Sequence, residues 1–412
     1  MSHRLVFTNK ANSNLDIKYV SGSGVGAKSI SNRRALLMRS NNTAEGVPCM
    51  GYCIKRYIPP INIIPSKNII CGVYVDLSFQ IYGFTWKANS KFITKFIPPD
   101  EYSFSCVTGI STDESTIVGF CSKTNSSNNF VFKQVNGSFS NIKTIDLSYN
   151  GFRNIPLLVS PDGTAIVGNI VTDNNYTYPF KLIGNNSYID FSNNLTNNII
   201  SITATAVSLN GDKITGYYLD PSSTYSCFTI NNNIFNTDIN TKFPSGTKNS
   251  YPTSITSDGS TIVGGYDYIT TMDLSHNFHG FKITNGIWSS LFPINIINNN
   301  NDENEYFPQI LISSDGTTIV WSALIDSSNN MIYKKVGNTI KSIKTFPNTK
   351  PFIINGISDD GTTIVGTITS PKPNINIGPY VFRINDTTGY DDISDNLVNG
   401  IPIFASFSQG IS

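Results

Sequence analysis

The 412-residue chain is short of charge and of histidine: 14% of it is Asp, Glu, Lys or Arg, and it has 3 His and 3 Trp. His3, His276 and His279 are thin material for general acid–base chemistry or a metal site. Long helical periodicity is nearly missing, which argues against a helix bundle. No apolar run approaches the roughly 20 residues that cross a bilayer as a helix. Leu5-Val6-Phe7, the one apolar run before Ala11, is too short for a secretory core, so no signal peptide is expected. Neither a P-loop nor a dinucleotide fingerprint occurs. Cys49, Cys53, Cys71, Cys106, Cys121 and Cys227 show no disulfide framework, and a reducing compartment is the simpler reading. Cys49 and Cys53 are close in sequence, but zinc needs two more ligands and only His3 lies in the same region. No metal and no cofactor are expected.

What the chain does have is repetition. Ile255-Thr256-Ser257-Asp258-Gly259-Ser260-Thr261-Ile262-Val263-Gly264 returns as Val159-Ser160-Pro161-Asp162-Gly163-Thr164-Ala165-Ile166-Val167-Gly168 and as Ile357-Ser358-Asp359-Asp360-Gly361-Thr362-Thr363-Ile364-Val365-Gly366. Looser copies occupy 110–119, 207–216 and 312–321. The phrase reads as strand, two-residue Asp-Gly turn, β-branched strand. An aromatic follows, often with a basic residue after it: Phe132-Lys133, Phe180-Lys181, Phe281-Lys282, Tyr333-Lys334 and Phe382-Arg383. This predicts a third strand, and a further apolar run predicts a fourth.

The turn residues Asp113, Asp162, Asn210, Asp258, Asp315 and Asp360 are 49, 48, 48, 57 and 45 positions apart. Four short strands at this period read as propeller blades. The long step is read as a loop insertion over 293–305. An altered copy lies at 63–72, with Ser66-Lys67 in place of Asp-Gly. The last residues, 404–412, match only a first strand, sharing Gly-Ile-Ser with 109–111 and 356–358. That orphan strand would complete the blade begun near Pro65 and close the ring; the competing arrangement uses Ile61 to Ile64 there. The expectation is an all-β, seven-bladed β-propeller over 65–412, against a β-solenoid or open array of the same period.

Residues 1–64 differ. Nine basic residues there face Asp16 and Glu45, a net +7 that leaves −6 on the remainder. Gly22 to Gly26 suggests flexibility, and 31–40 a short helix capped by Ser31. Lys28, Arg33, Arg34 and Arg39 are the candidate partner-binding residues of this basic arm. No aromatic is interleaved among them for base stacking, so sequence-specific nucleic-acid recognition is not expected. The arm reads as a docking peptide, with packing on its own ring or a solvated tail as alternatives.

Two resemblances rest on these residues. The Ile-Ser-x-Asp-Gly-Thr-Thr-Ile-Val-Gly phrase with its aromatic-basic strand resembles the HAF-type, or extracellular, β-propeller repeat, implying a fold and a display role rather than a reaction. Ser66-Lys67, Glu114 and Trp321 depart from it and put the geometry of their units in question. Gly24-Val25-Gly26-Ala27-Lys28-Ser29-Ile30-Ser31-Asn32-Arg33-Arg34-Ala35-Leu36-Leu37-Met38-Arg39, with Asn41-Asn42, resembles an N-terminal motif of large, mimivirus-like DNA viruses. With Asn at roughly one residue in eight, this implies a virion protein made in host cytoplasm, its arm attached to other virion or assembly proteins. An extracellular surface location is the alternative.

The functional expectation is a non-enzymatic structural or binding scaffold. The repeated aspartates are read as turn formers, His276 and His279 as a surface pair in a polar loop, and only Arg153 and Arg383 lie beyond the arm to hold an acidic sugar. A carbohydrate-binding or glycoside-cleaving propeller, with a glycan on one ring face, is the alternative.

Overall fold

A computed structural model describes residues 3–9, 15–21, 69–75, 81–87, 93–96, 102–123, 129–145, 158–171, 176–184, 187–270, 273–294, 309–324, 329–347, 352–368, 380–387, 389–392 and 405–411. Seven four-stranded antiparallel sheets account for nearly all of them. In chain order, β1 (His3–Asn9) and β2 (Leu15–Ser21) pair only with each other. Blade 1 holds β3 (Ile69–Val75), β4 (Ile81–Lys87) and β5 (Ile93–Lys95). Blade 2 holds β6 (Tyr102–Ile110), β7 (Thr116–Lys123), β8 (Asn129–Val135) and β9 (Ser138–Ile145). Blade 3 comprises β10 (Leu158–Val159), β11 (Ala165–Val171), β12 (Thr177–Ile183) and β13 (Ser187–Asp190). Blade 4 comprises β14 (Ser201–Val207), β15 (Lys213–Leu219), β16 (Tyr225–Asn231) and β17 (Ile234–Asn236). Blade 5 is β18 (Thr247–Ile255), β19 (Thr261–Thr270), β20 (Asp273–Thr284) and β21 (Ile287–Ile294). Blade 6 is β22 (Ile310–Ile312), β23 (Thr318–Leu324), β24 (Asn329–Val336) and β25 (Thr339–Pro347). Blade 7 is β26 (Phe352–Ile357), β27 (Thr363–Ile368), β28 (Tyr380–Asn385) and β29 (Gly389–Asp392), and β30 (Ala405–Ile411) follows.

The ring is a seven-bladed propeller closed by its C-terminal strand. β30 pairs with β3, from Ile70 opposite Ile411 to Val75 opposite Ala405, and so becomes the first strand of blade 1. β3 is thus flanked by β30 and β4, and Ile61 to Ile64, the competing candidate for the first strand, lie outside the described residues. Apart from the alternative at Ile61 to Ile64, the sequence pattern placed no strand within 1–64, yet β1 and β2 form a hairpin there. Lys28, Arg33, Arg34, Arg39, the helix expected at 31–40 and the Cys49–Cys53 pair lie outside the described residues. Of the insertion expected at 293–305, Pro293 and Ile294 belong to β21, and 295–305 are outside the described residues.

The repeated final glycine and the aromatic strand are one feature. Gly72, Gly119, Gly168, Gly216, Gly264 and Gly366 sit directly across from Phe84, Phe132, Phe180, Phe228, Phe281 and Phe382. The missing side chain lets each buried ring lie flat over the neighbouring strand, and burying such a ring contributes roughly 1.5–3 kcal/mol. Blade 6 solves the same position with Trp321 stacked on Tyr333, centroids 5.4 Å apart and planes 13° from parallel. The departure therefore keeps the blade and changes only the packing partner.

The first strands carry a recurring bulge that the repeat phrase did not reveal. Thr108, Thr205, Thr253, Asn355 and Gln409 are each the extra residue that shifts the register against the second strand. Two of them tie blades together. Thr205 Oγ1 donates to the Pro252 carbonyl of blade 5 at 2.7 Å, and Thr253 Oγ1 donates to the Ile310 carbonyl of blade 6.

The Asp-Gly turns are corrected in one respect. Val159 pairs with Ile166 and Ser160 N–H donates to the Ala165 carbonyl, so four residues rather than two form the loop. The Gly163 N–H returns to the Ser160 carbonyl at 2.8 Å, with Gly163 at φ +71°. In blade 2 this place is held by Glu114, which keeps the same bond to Ser111 at 3.0 Å and the same positive φ, +62°. The local geometry survives and the side chain bears the strain. Glu114→Gly is therefore expected to stabilise the protein by about 0.5–1 kcal/mol, the left-handed penalty less glycine's extra unfolded entropy. Chemical denaturation checks this, and a destabilised variant would refute the strain.

Candidate functional site

The first-to-second and third-to-fourth strand turns share one face of the ring. They are joined by the N–H groups of Asn136, Gly184, Asn232, Asn285 and Asp386, which donate to the carbonyls of Ser115, Thr164, Asp212, Ser260 and Thr362. The outer turns are the true two-residue hairpins. Asn136-Gly137, Asn232-Asn233 and Asn285-Gly286 have positive φ at both positions, the twist-matched turn that favours Asn and Gly.

Five inner turns are closed by a short relay. Ser160 Oγ donates to Asp162 Oδ1 at 2.6 Å and accepts from Ala165 N–H at 2.8 Å, while Asp162 Oδ1 also accepts from Thr164 N–H at 3.0 Å. The same donors and acceptors recur at Ser111/Asp113, Thr256/Asp258, Ser313/Asp315 and Ser358/Asp360. At Asp258 the bonds from Thr256 and from Ser260 N–H hold the carboxyl below its ordinary value. The repeated aspartates thus act in turn closure.

Neighbouring blades are latched across this face. Thr112 N–H donates to the Pro161 carbonyl, Asp162 N–H to Leu209, Leu209 N–H to Ser257 and Ser257 N–H to Ser314, at 2.8–3.2 Å. In blades 2, 3 and 6 the basic residue after the aromatic supplies a second tie. Lys133 Nζ reaches the Gly163 carbonyl at 2.8 Å, Lys181 Nζ reaches Asn233 Oδ1 at 3.3 Å, and Lys334 Nζ reaches the Gly361 carbonyl at 2.6 Å. Burial pulls the Lys133 and Lys181 ammonium groups below their ordinary values, opposed by Asp162 and Asp212 respectively.

Blade 4 breaks this pattern. Thr229 follows Phe228 where blades 2, 3, 5, 6 and 7 have a cation, as Thr85 follows Phe84 in blade 1, and the tie to blade 5 comes from Lys213 on β15, whose Nζ donates to the Gly259 carbonyl at 2.6 Å. A groove of about 430 Å³ lies at this seam. Its walls include Leu209, Asn210, Asp212, Asn232, Ser257 and Asp258.

One carboxyl on the face is perturbed upward. Asp359, on the inner turn of blade 7, accepts from Ser314 Oγ of blade 6. Burial pushes it up, Ser314 opposes, and Asp360 and Asp315 add to the rise, from 3.8 to about 6. With the folded value above the unfolded one, the protonated form is favoured by folding. Stability is then greatest below pH 4 with respect to this group, declines as pH rises to about 6, and stays reduced above it. The full shift corresponds to about 3 kcal/mol, which solvent screening of a partly exposed group reduces to about 1–2. Asp359→Asn is expected to raise stability at pH 7 by that amount and to flatten the profile between pH 4 and 6.5. Denaturation curves across this range check it; an unchanged slope would rule Asp359 out as the titrating group.

His279 is not in a loop. It lies within β20, half-buried, with its ring 5.2 Å from that of Tyr266. Burial holds its imidazole below the ordinary value, partly opposed by Asp267. His276 is in the same strand. The twelve-residue strand runs through the polar loop expected there because Tyr266, Asp267 and Tyr268 extend β19 alongside it. Cys71, Cys106, Cys121 and Cys227 are free and buried, and burial pushes the Cys71 thiol to about 12. Among the described residues no three His, Cys, Asp or Glu side chains group as metal ligands, and no helix is long and apolar enough to cross a membrane.

No protein-family model matches the chain, and no curated protein matches it. Solved structures are similar in fold. The β-propeller domain of the Trilobed protease from Pyrococcus furiosus aligns over 81% of this chain and 97% of its own, at 12% identity and a TM-score of 0.52. Two prolyl endopeptidases are represented by an alignment over 88% of this chain at 10% identity and a TM-score of 0.50, and the chain spans 55% of that enzyme's length. TolB from Acinetobacter baumannii aligns over 66% of this chain at 12% identity and a TM-score of 0.41, and the chain spans 61% of its length. The likeness is one of propeller architecture. The Pyrococcus domain is described by an open velcro topology, whereas β30 closes the ring here.

Proposed function

We propose that the protein is a non-enzymatic binding scaffold, with the propeller presenting its turn face and the basic N-terminal arm attaching it to a larger assembly. The observation that carries this reading is the latched turn face. Backbone bonds and lysine ties join successive blades there, so the face is rigid and preorganised, which lowers the ordering cost of binding. Its repeated carboxylates are occupied in closing turns. The charge split between a +7 arm and a −6 ring supports electrostatic attachment through Lys28, Arg33, Arg34 and Arg39. The two resemblances, to HAF-type repeats and to the mimivirus-like N-terminal motif, support a virion-associated display protein.

Incorporation is the test. Full-length protein and a version lacking residues 1–60 are compared for co-sedimentation with purified particles of the virus that carries the sequence, and for folding of the ring. A folded ring that no longer sediments is the expected result. Unchanged sedimentation without the arm would refute arm attachment, and turnover of a glycoside panel would refute the non-enzymatic assignment.

A further inference from the structure

The groove at the seam of blades 4 and 5 is lined mostly by uncharged polar residues. Asn210, Asn231 and Asn232 bring amides, Ser208 and Ser257 bring hydroxyls, and Leu209, 46% exposed, supplies an apolar wall. Two carboxylates line it, and each has a cation close by. Lys213 is in the lining with Asp258 and acts on it, and Lys181 reaches in from blade 3 to Asn233, its downward shift from burial opposed by Asp212. The pocket is thus close to charge-balanced, which disfavours both a basic peptide and an anion.

Several of its polar groups are not engaged by the fold. The Asn232 amide and the Ser257 hydroxyl make no side-chain hydrogen bond among the described residues. The bonds that close the Asp258 turn, from Thr256 Oγ1 and Ser260 N–H, both fall on Oδ1. Neutral amides, a hydroxyl and a fixed carboxylate beside an apolar wall can pair with adjacent ring hydroxyls and the C–H face of a sugar. The space, about 430 Å³, lies in the range of small-ligand clefts. The groove also sits where Thr229 stands in place of the lysine that ties the seams following blades 2, 3 and 6, so this irregularity in the repeat and the opening coincide.

We propose that this groove is a binding site for a neutral, polyhydroxylated ligand, a terminal mono- or disaccharide unit of a glycan. The proposal rests on the reading of the ring as a binding scaffold and names the ligand class its face takes. Asn232 and Ser257 are the specificity residues, and Asp258 is an acceptor held in place by its turn.

Full-length protein is titrated by calorimetry and by ligand-observed NMR with glucose, galactose, mannose, N-acetylglucosamine, maltose and cellobiose. At least one is expected to bind in the millimolar range. Asn232→Gly retains the positive-φ turn while removing the amide, and Ser257→Ala removes the hydroxyl; each is expected to weaken binding by at least fivefold with unchanged melting. No binding by any sugar at 20 mM overturns the proposal. So does binding that neither variant changes, which would move a glycan site elsewhere on the ring. Competition by a lysine-rich peptide in place of the sugars also overturns it. Particle attachment through the arm is read out separately, so failure here leaves the scaffold reading to its own test.

Discussion

Gly264→Val is expected to cost roughly 3–5 kcal/mol, among the largest effects of any single substitution in the ring. A Cβ at this position would stand 2.1 Å from the Tyr251 carbonyl oxygen, 2.7 Å from Pro252 Cα and 2.8 Å from Phe281 Cε1. Two of these atoms are backbone, so no rotamer change relieves the contact. The third belongs to a fully buried ring that packs with Ile262, Tyr266 and Phe243. Strand β19 must move away from β18, or Phe281 must leave its place. Trp321→Gly provides the opposite case at the equivalent position: there it removes a stacked ring and leaves a cavity, at roughly 3–5 kcal/mol. Urea denaturation of both variants checks the pair. If Gly264→Val melted like the parent protein, the flat packing of phenylalanine on glycine would not be what holds each blade.

The repeat made the blades legible because period is a one-dimensional property. Four strands per unit, the aromatic third strand and the closing role of the last residues all follow from what recurs. The turn chemistry was half legible. The two-residue hairpin does exist, but at Asn136-Gly137 and Asn285-Gly286 rather than at Asp162-Gly163, where Ser160 and Asp162 close a wider loop. The basic residue after each aromatic was visible as a pattern, yet its purpose was not, because Lys133 and Lys334 act on turns of the following blade. The groove was least legible. It depends on Thr229 lacking a cation, on Lys213 substituting from another strand, and on Asn232 and Ser257 meeting across a seam. Ser257 and Lys213 fall within copies of the repeated phrase but at positions that vary from copy to copy, Thr229 and Asn232 lie outside it, and what brings them together is the ring itself.

Closure also links fold to function, since a rigid face requires that no blade be free to open. Within the ring the first strands touch their neighbours in succession, and β30 packs against β6 on one side and β26, β27 and β28 on the other. One strand therefore holds blade 1 to both blade 2 and blade 7. The hydrogen-bonded latches of the turn face strengthen that ring only while it stays closed.

Removal of residues 405–412 is accordingly expected to lower stability by roughly 5 kcal/mol or more, or at least about 10 °C in melting temperature. β3 would lose its ladder from Ile70 to Val75 and become an open edge prone to pairing with other chains. Ile70 and Cys71, 2% and 0% exposed, lie on that edge. Cys71 supplies a local readout. Its buried thiol, pushed to about 12, should resist alkylation at neutral pH in the intact protein and react readily after the deletion. Cys106, Cys121 and Cys227, buried in blades 2 and 4, serve as internal controls. Selective labelling of Cys71 would mean that blade 1 opens while the other blades remain folded. Labelling of all four would mean that closure is required for the whole ring. A synthetic peptide spanning 402–412 should restore protection by re-forming the strand. If the deletion neither lowered the melting temperature nor exposed Cys71, the pairing of β30 with β3 would not be what closes the ring.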